Sequence, residues 1–365
     1  MNALSLFSGA GGMDIGIRQA GFNILAEIEH DEHCCSTLRA SVEREKTTTK
    51  VIQTDIKIVD PKSLLADLNI KKGELDLLFG GPPCQSFSLA GKQLGLCDER
   101  GPLLFEIIRF AKHILPKVIL LEQVKGLLSA KEKNNRRGEV FESFLAELEK
   151  IGYTPKWRVV MAADFGLPQL RERLFVVATH GKNGFIFPER THAPAEECGS
   201  LFQLEPYVGV GAVLTGLGTP APKIRGQTVY NREDGHVDVT PDRDRERIAQ
   251  VPEGSYLAAQ VHLGEELRRG LSPKDTTKYL RLHRKRPSNT LRCGEIFFHP
   301  TENRYLTPRE CMRIHGYPDN YFLKGPIRSR TGTVRNLDQH RQVANSVPPP
   351  LAEILGKQIA RYLNE

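Results

Sequence analysis

The sequence has no CxxC pair, no run of eighteen apolar residues and no internal repeat. Its seven cysteines, Cys34, Cys35, Cys84, Cys97, Cys198, Cys293 and Cys311, form an odd set without the ligand spacing of a structural zinc site, so no structural metal is expected. Unpaired cysteines fit reducing, intracellular surroundings. The missing apolar run excludes a membrane-spanning helix. The opening MNALSLFSGAGGMDIGIRQ has no basic leader and reaches Asp14 before any signal-length apolar run, so no export is expected. Charge of one sign is not in large excess either. A net +7 over 365 residues permits a polyanionic partner without demanding one. What the chain does have is 39% hydrophobic residues and the length for one large domain with a smaller one.

The first half alternates strand-like and helix-like segments, as a parallel sheet with crossover helices requires. ALSLF reads as a strand, SGAGG as a turn and MDIGIRQA, stopped by Gly21, as a helix. FNILAEIE, VIQTDI, ELDLLF, KVILLE, KWRVVMAA and RLFVVAT read as further strands. Between them lie helices within 31 to 45, from Pro61, from Pro102 through LLFEIIRFAKHIL, and over EVFESFLAELEKIG. From about residue 185 to 285 the rhythm gives way to Pro, Gly and charge, which marks a second, irregular module.

Several groups gather at the carboxyl edge of such a sheet, where α/β proteins bind ligands. Gly9, Gly11 and Gly12 follow the first strand, leave helix N–H groups free and suit a nucleoside. GxGxxG is not met because Asp14 replaces the third glycine, and a tight turn that binds nothing stays open as the alternative. Glu29 ends the second strand and could accept from ribose hydroxyls; Asp55 ends the third and could meet an adenine amino group, or simply cap a turn. Cys84, in GGPPCQSFS, follows an apolar strand on a proline-fixed loop and is placed like a nucleophile. Glu122 ends KVILLE, where an acid needs a task or a partner. Arg171 and Arg173, two apart, would share one face of an extended segment.

In this order the segments resemble the cytosine-5 DNA methyltransferases. FSGAGGMDIG, Glu29, TDI, GGPPCQSFS, EQV, QLRER, RPSNTL and QVANSVPPPLAEILG follow the family's succession along nearly the whole chain. The resemblance implies a Rossmann-like, S-adenosylmethionine-dependent sheet domain with a small, irregular target-recognition domain. The expected boundaries are 1–184 for the catalytic and cofactor-binding domain, 185–334 for target recognition and hinge, and 335–365 for a segment returning to the catalytic domain. It implies cofactor contacts from Phe7, Gly9, Gly11, Gly12, Glu29, His30, Asp55, Asn345 and Ser346.

The resemblance also assigns chemistry. Carbon 5 of cytosine is a poor nucleophile, so the family adds a thiolate, here Cys84, to carbon 6 and thereby makes an enamine. Glu122 would bond ring nitrogen 3 as an acid. Arg173, helped by Arg171, would hold the ring oxygen, while Pro82, Pro83 and Gln85 lie against the base. The prolines aim the sulfur, and the base must leave the duplex. Two positions depart from the pattern: Gln123 stands where the family has Asn, and Ala344 where it has Gly.

Residues 268 to 292 carry nine Lys or Arg against one acid, and Arg328, Arg330, Arg335 and Arg341 form a second group, so phosphate contacts are expected from both. The expected partner is double-stranded DNA, bound by a cytoplasmic monomer of restriction-modification or solitary type. An RNA-directed member and a non-catalytic DNA binder on the same fold stay open as alternatives.

Overall fold

Buried apolar runs build the core of the first half. In a computed structural model, the described residues are 1–83, 103–131, 136–181, 184–199, 204–223, 233–272, 274–275, 279–328 and 336–365. They divide into two compact units: residues 1–161, 172–189 and 347–365, and residues 162–171 and 190–346.

The first unit holds a seven-stranded sheet. β1 (Asn2–Leu6) is followed by α1 (Gly12–Gln19), which starts after Gly11 at φ 77 and carries Asp14 in its first turn and Arg18 in its last, complementing the helix dipole. β2 (Asn23–Glu29) leads to α2 (Glu32–Glu45), capped by Asp31, which accepts from the Cys34 N–H at 2.9 Å. β3 (Lys50–Gln53) precedes α3 (Pro61–Asp67), with Asp60 as cap and Pro61 at its first position. Then come β4 (Leu77–Gly80), α4 (Leu103–Ile114), β5 (Val118–Gln123), α5 (Glu139–Lys150) and β6 (Tyr153–Met161). The two-residue β7 (Gln169–Leu170) belongs to the second unit, and β8 (Glu172–His180) completes the sheet.

The strand order is β3-β2-β1-β4-β5-β8-β6. β1 and β4 are therefore neighbours whose connections leave in opposite directions, which opens a crevice beyond their carboxyl ends. β3 to β5 are parallel, as their alternation with helices predicts. β8 departs from the parallel alternation of the earlier strands: it runs antiparallel to both β5 and β6. The ten residues between β6 and β8 contain no helix long enough for a parallel crossover. VIQTDI is also shorter as a strand than its sequence suggests, because the Asp55 side chain accepts from the Lys57 N–H at 2.9 Å and starts a 3-10 turn.

α10 (Pro349–Asn364) closes the unit against α1. The contact relies on missing side chains: a Cβ on Gly16 would stand 2.2 Å from the Pro349 carbonyl oxygen, and one on Gly356 2.7 Å from the Ala20 Cβ.

The second unit has little regular structure. α6 (Val210–Leu214), α7 (Asp242–Ala249), α8 (Pro308–Ile314) and α9 (Gln339–Asn345) are short, and its strands pair over two residues each. Ile248, Val251, Leu257, Leu263, Phe298 and Tyr305 form a small core. Among the described residues no helix is long and apolar enough to cross a membrane.

Candidate active site

A cavity of about 160 Å³ lies in the first unit and brings together Phe7, Glu29, His30, Asp55 and Pro83. It follows from the sheet order, since these residues leave the carboxyl ends of β1, β2, β3 and β4. Phe7 turns the chain with φ 56 and Gly9 repeats that φ, both in the left-handed region. The turn lets the Gly9 N–H donate to Glu29 Oε2 at 2.8 Å. Glu29 Oε1 accepts from the backbone N–H groups of His30 and Asp31 at 2.8 and 2.9 Å, and the His30 ring Nδ1 lies 3.0 Å from it. Burial alone would raise this carboxyl, but the His30 ring and the backbone donors outweigh it and hold the group below its ordinary value. The bond to Glu29 raises His30. Oε2 accepts from the Gly9 N–H and keeps a second lone pair for a ligand hydroxyl.

Sequence reasoning missed the rest of the lining: Ile28, Thr54, Ile56, Lys57 and Leu103. It also missed Arg109, whose guanidinium donates to the carbonyls of Ile56 and Val59 at 2.7 and 2.8 Å and fixes the turn that follows Asp55. The only signal was a lone arginine in the otherwise apolar IIRFA.

At the next strand ends, Glu122 and Arg173 form an ion pair, Nε to Oε1 2.8 Å, with both side chains mostly shielded from solvent. The antiparallel course of β8 makes this possible, since it pairs Glu122 with Phe175 and brings the beginning of β8 to the end of β5. Gly81 leaves room for the acid: a Cβ there would stand 3.0 Å from Glu122 Oε2. Gln123 is 1% exposed and its Nε2 donates to the Pro82 carbonyl at 2.8 Å. Cys84 and Gln85 lie outside the described residues.

Arg171 has another setting. It is 1% exposed and donates to the carbonyls of Leu291, Ala344 and Ser346 at 3.2, 3.0 and 2.9 Å, all in the second unit. His315 donates to the same Ser346 carbonyl at 2.9 Å, and Gln169 lies 3.0 Å from its other ring nitrogen. Arg171 is thus joined to the segment bearing Asn345 and Ser346. The exposed Asn345 accepts from the Cys293 thiol at 2.8 Å. Gly11 and Gly12 stand at the start of α1.

The family profile of the C-5 cytosine-specific DNA methylases matches residues 1–361. The chain belongs to that family. As a DNA (cytosine-5-)-methyltransferase it is similar to Type II methyltransferase M.PspPI of Psychrobacter sp., 34% identical over 99% of this chain and 79% of that protein. Type II methyltransferase M.AquIA of Picosynechococcus sp. is 38% identical over 64% of this chain and 97% of that protein. Among solved structures, a prophage-encoded DNA modification methyltransferase of E. coli shares the fold with a TM-score of 0.72 at 22% identity, both chains covered in full. Spodoptera frugiperda DNMT2 gives 0.60 at 17% identity, over 98% of this chain and 99% of that one.

In this methyltransferase the basic run from 268 to 292 is not a uniform phosphate-binding face, which corrects the expectation drawn from its charge. Arg281 is buried and donates to the carbonyls of Pro300, Ile248 and Val251, each at 3.0 Å. Arg269 is paired with Asp244 and Arg284 with Glu253. A small domain with a thin core uses its cations to tie loops together, so local charge density overstates what faces outward. Lys278, Arg330 and Arg335 lie outside the described residues.

Proposed function

We propose that the chain is a sequence-specific methyltransferase of Type II restriction-modification type that attacks a flipped-out cytosine through Cys84, with the second unit recognising the target. The Glu122–Arg173 pair carries this reading. A carboxyl and a guanidinium held together at a ligand-binding strand end suit the nitrogen 3 and oxygen 2 edge of cytosine, which presents an acceptor to each. Addition of the Cys84 sulfur to carbon 6 pushes electrons onto nitrogen 3, where Glu122 delivers a proton. Bound S-adenosylmethionine supplies the methyl group that carbon 5 then accepts. As carbon 5 is methylated the nitrogen 3 proton returns to Glu122, and loss of the proton from carbon 5 to a base then re-forms the 5,6 double bond and expels the Cys84 thiolate.

The Phe7–Glu29–Asp55 cavity fits the nucleoside end of that cofactor: Phe7, Ile28, Ile56 and Leu103 offer apolar contact for the base, and Glu29 keeps acceptor capacity for ribose. Gln123 holds the Pro82 carbonyl and so steadies the loop that leads into Cys84. Arg171, with its donors on backbone carbonyls, is a positioning residue for the segment 344–346.

Duplex DNA with 5-fluorocytosine at the target, located first by bisulfite sequencing of methylated plasmid, tests the reading. Fluorine leaves no proton to remove, so the protein should be trapped with S-adenosylmethionine as an adduct that survives denaturing electrophoresis and maps to Cys84; Cys84→Ala should abolish it. Absence of the adduct where ordinary cytosine is methylated would overturn the nucleophile, and a preference for fluorinated RNA would overturn the substrate.

A further inference from the structure

A second cavity, of about 450 Å³, lies wholly within the second unit. Six cations line it: Lys223, Arg243, Arg269, Arg292, Arg328 and Arg341. Its three acids are already engaged. Asp244 accepts from Arg247 at 2.7 Å, from Arg269 at 2.5 and 2.7 Å, and from the Tyr305 hydroxyl. Asp338 caps α9, accepting from the Arg341 N–H at 2.9 Å, and pairs with the Arg341 guanidinium. Glu295 pairs with Arg292 at 3.4 Å. His340 adds no charge, since burial and then Arg328 push it below its ordinary value.

Arg328 stands apart in this lining. Its guanidinium lies 5.6 Å from the centre of the Tyr305 ring, and among the described residues no carboxylate is within ion-pair distance. Burial lowers its affinity for the proton; Tyr305 and the Asp338 carboxylate, which is itself paired with Arg341, oppose this only in part, and the like charge of Arg341 adds to the lowering. A half-buried cation with no carboxylate in direct contact is incompletely compensated, and an arginine in that state stays charged. The lining therefore leaves positive charge in a concave, partly dry site that also offers Phe297 and Tyr305 as walls. An oxyanion with several acceptors matches the guanidinium fork, whereas a carboxylate-free apolar ligand would leave it unpaired.

We propose that this cavity takes a phosphate group of the DNA backbone, with Arg328 as the anchoring cation and the exposed Arg243 and Lys223 completing the positive lining. The inference rests on the reading of the chain as a DNA methyltransferase and moves the anchoring phosphate contact to Arg328 from the basic run at 268 to 292, whose cations contribute only Arg269 and Arg292 to the lining. That run was the obvious choice from sequence, but Arg269, Arg281 and Arg284 are held by acids or carbonyls.

Duplex binding measured by fluorescence anisotropy between about 50 and 200 mM salt tests it. Arg328→Gln should weaken binding roughly tenfold at low salt and lower the salt slope by about 0.9. Arg284→Gln, which removes a cation already neutralised by Glu253, should leave the slope unchanged. Arg328→Lys should keep the slope, and Arg243→Gln gives an independent reading if Arg328→Gln does not fold. A folded Arg328→Gln with the wild-type slope overturns the proposal, as does an unchanged slope in Arg243→Gln when Arg328→Gln is unfolded. Inorganic phosphate at matched ionic strength separates the sources: if it raises the wild-type melting temperature through Arg328 while the DNA slope stays fixed, the site takes free anions and the backbone assignment fails. Wild-type protein that neither binds nor methylates duplex DNA would instead sink the methyltransferase reading itself.

Discussion

Gln123 offers a direct test of how the cysteine loop is held. Its side chain is 1% exposed, its Nε2 donates to the Pro82 carbonyl at 2.8 Å and its Oε1 accepts from the Val124 N–H at 3.2 Å. Pro82 is buried as well, so truncation strands a carbonyl where water does not easily replace the donor. Leaving such a group unpaired costs about 1–3 kcal/mol. If that whole amount is expressed in loop geometry at the transition state, Gln123→Ala should lower kcat about five- to 150-fold. Gln123→Asn withdraws the donor by about one carbon–carbon bond, roughly 1.5 Å. Pro83 is only partly buried, so the loop can follow, and the fall should stay under about tenfold. Gln123→Glu keeps the size but turns an acceptor toward the Pro82 carbonyl, and should fall further than Asn. The measurement is methyl incorporation from labelled S-adenosylmethionine into duplex DNA, with kcat and KM separated and melting temperature recorded for each variant. Gln123→Ala within about twofold of wild type would refute the brace. Gln123→Asn falling as far as Glu122→Ala would show that the two residues work together in another way.

Two further outcomes concern the scaffold. Gly16→Ala should force α1 from α10, since the new Cβ would stand 2.2 Å from the Pro349 carbonyl oxygen and 2.5 Å from the Glu353 nitrogen. A loss of about 1–3 kcal/mol in denaturant unfolding is expected, and an unchanged midpoint would mean that the helices re-pack freely. Burial pushes the carboxyl of Asp14 from its ordinary 3.8 up to about 6, with Arg18 pulling the other way. Between those values the folded chain keeps a proton that the unfolded chain has lost, so this group's contribution to stability falls as pH rises through about 4 to 6 and stays lower above. Relative to wild type, Asp14→Asn should therefore gain about 2 kcal/mol between pH 4 and pH 7. A difference between the two proteins that does not vary with pH would refute the shift.

Much of the first unit could be read from sequence because its signals are local. Buried parallel strands need continuous apolar runs, and Pro61, Gly11 and Gly21 mark helix ends through backbone restrictions that operate on a few residues at a time. The motif order placed Phe7, Glu29, His30, Asp55 and Pro83 on strand ends, and the sheet order gathers them around one cavity. Tertiary structure alone decided the rest. The direction of β8 depends on the absence of a crossover helix and on pairing with β5, and that direction is what sets Arg173 against Glu122. Arg171 and Arg173 look equivalent two residues apart, yet one reaches the carbonyls of Leu291, Ala344 and Ser346, far along the chain, and the other reaches a carboxylate. The basic run reads as a surface because charge counts carry no information about partners: Glu253 is thirty-one residues from Arg284, and Arg281 fills a pocket of carbonyls that only the folded loops assemble. A sequence lists which groups can donate and accept; which acceptor each donor finds is settled by long-range packing.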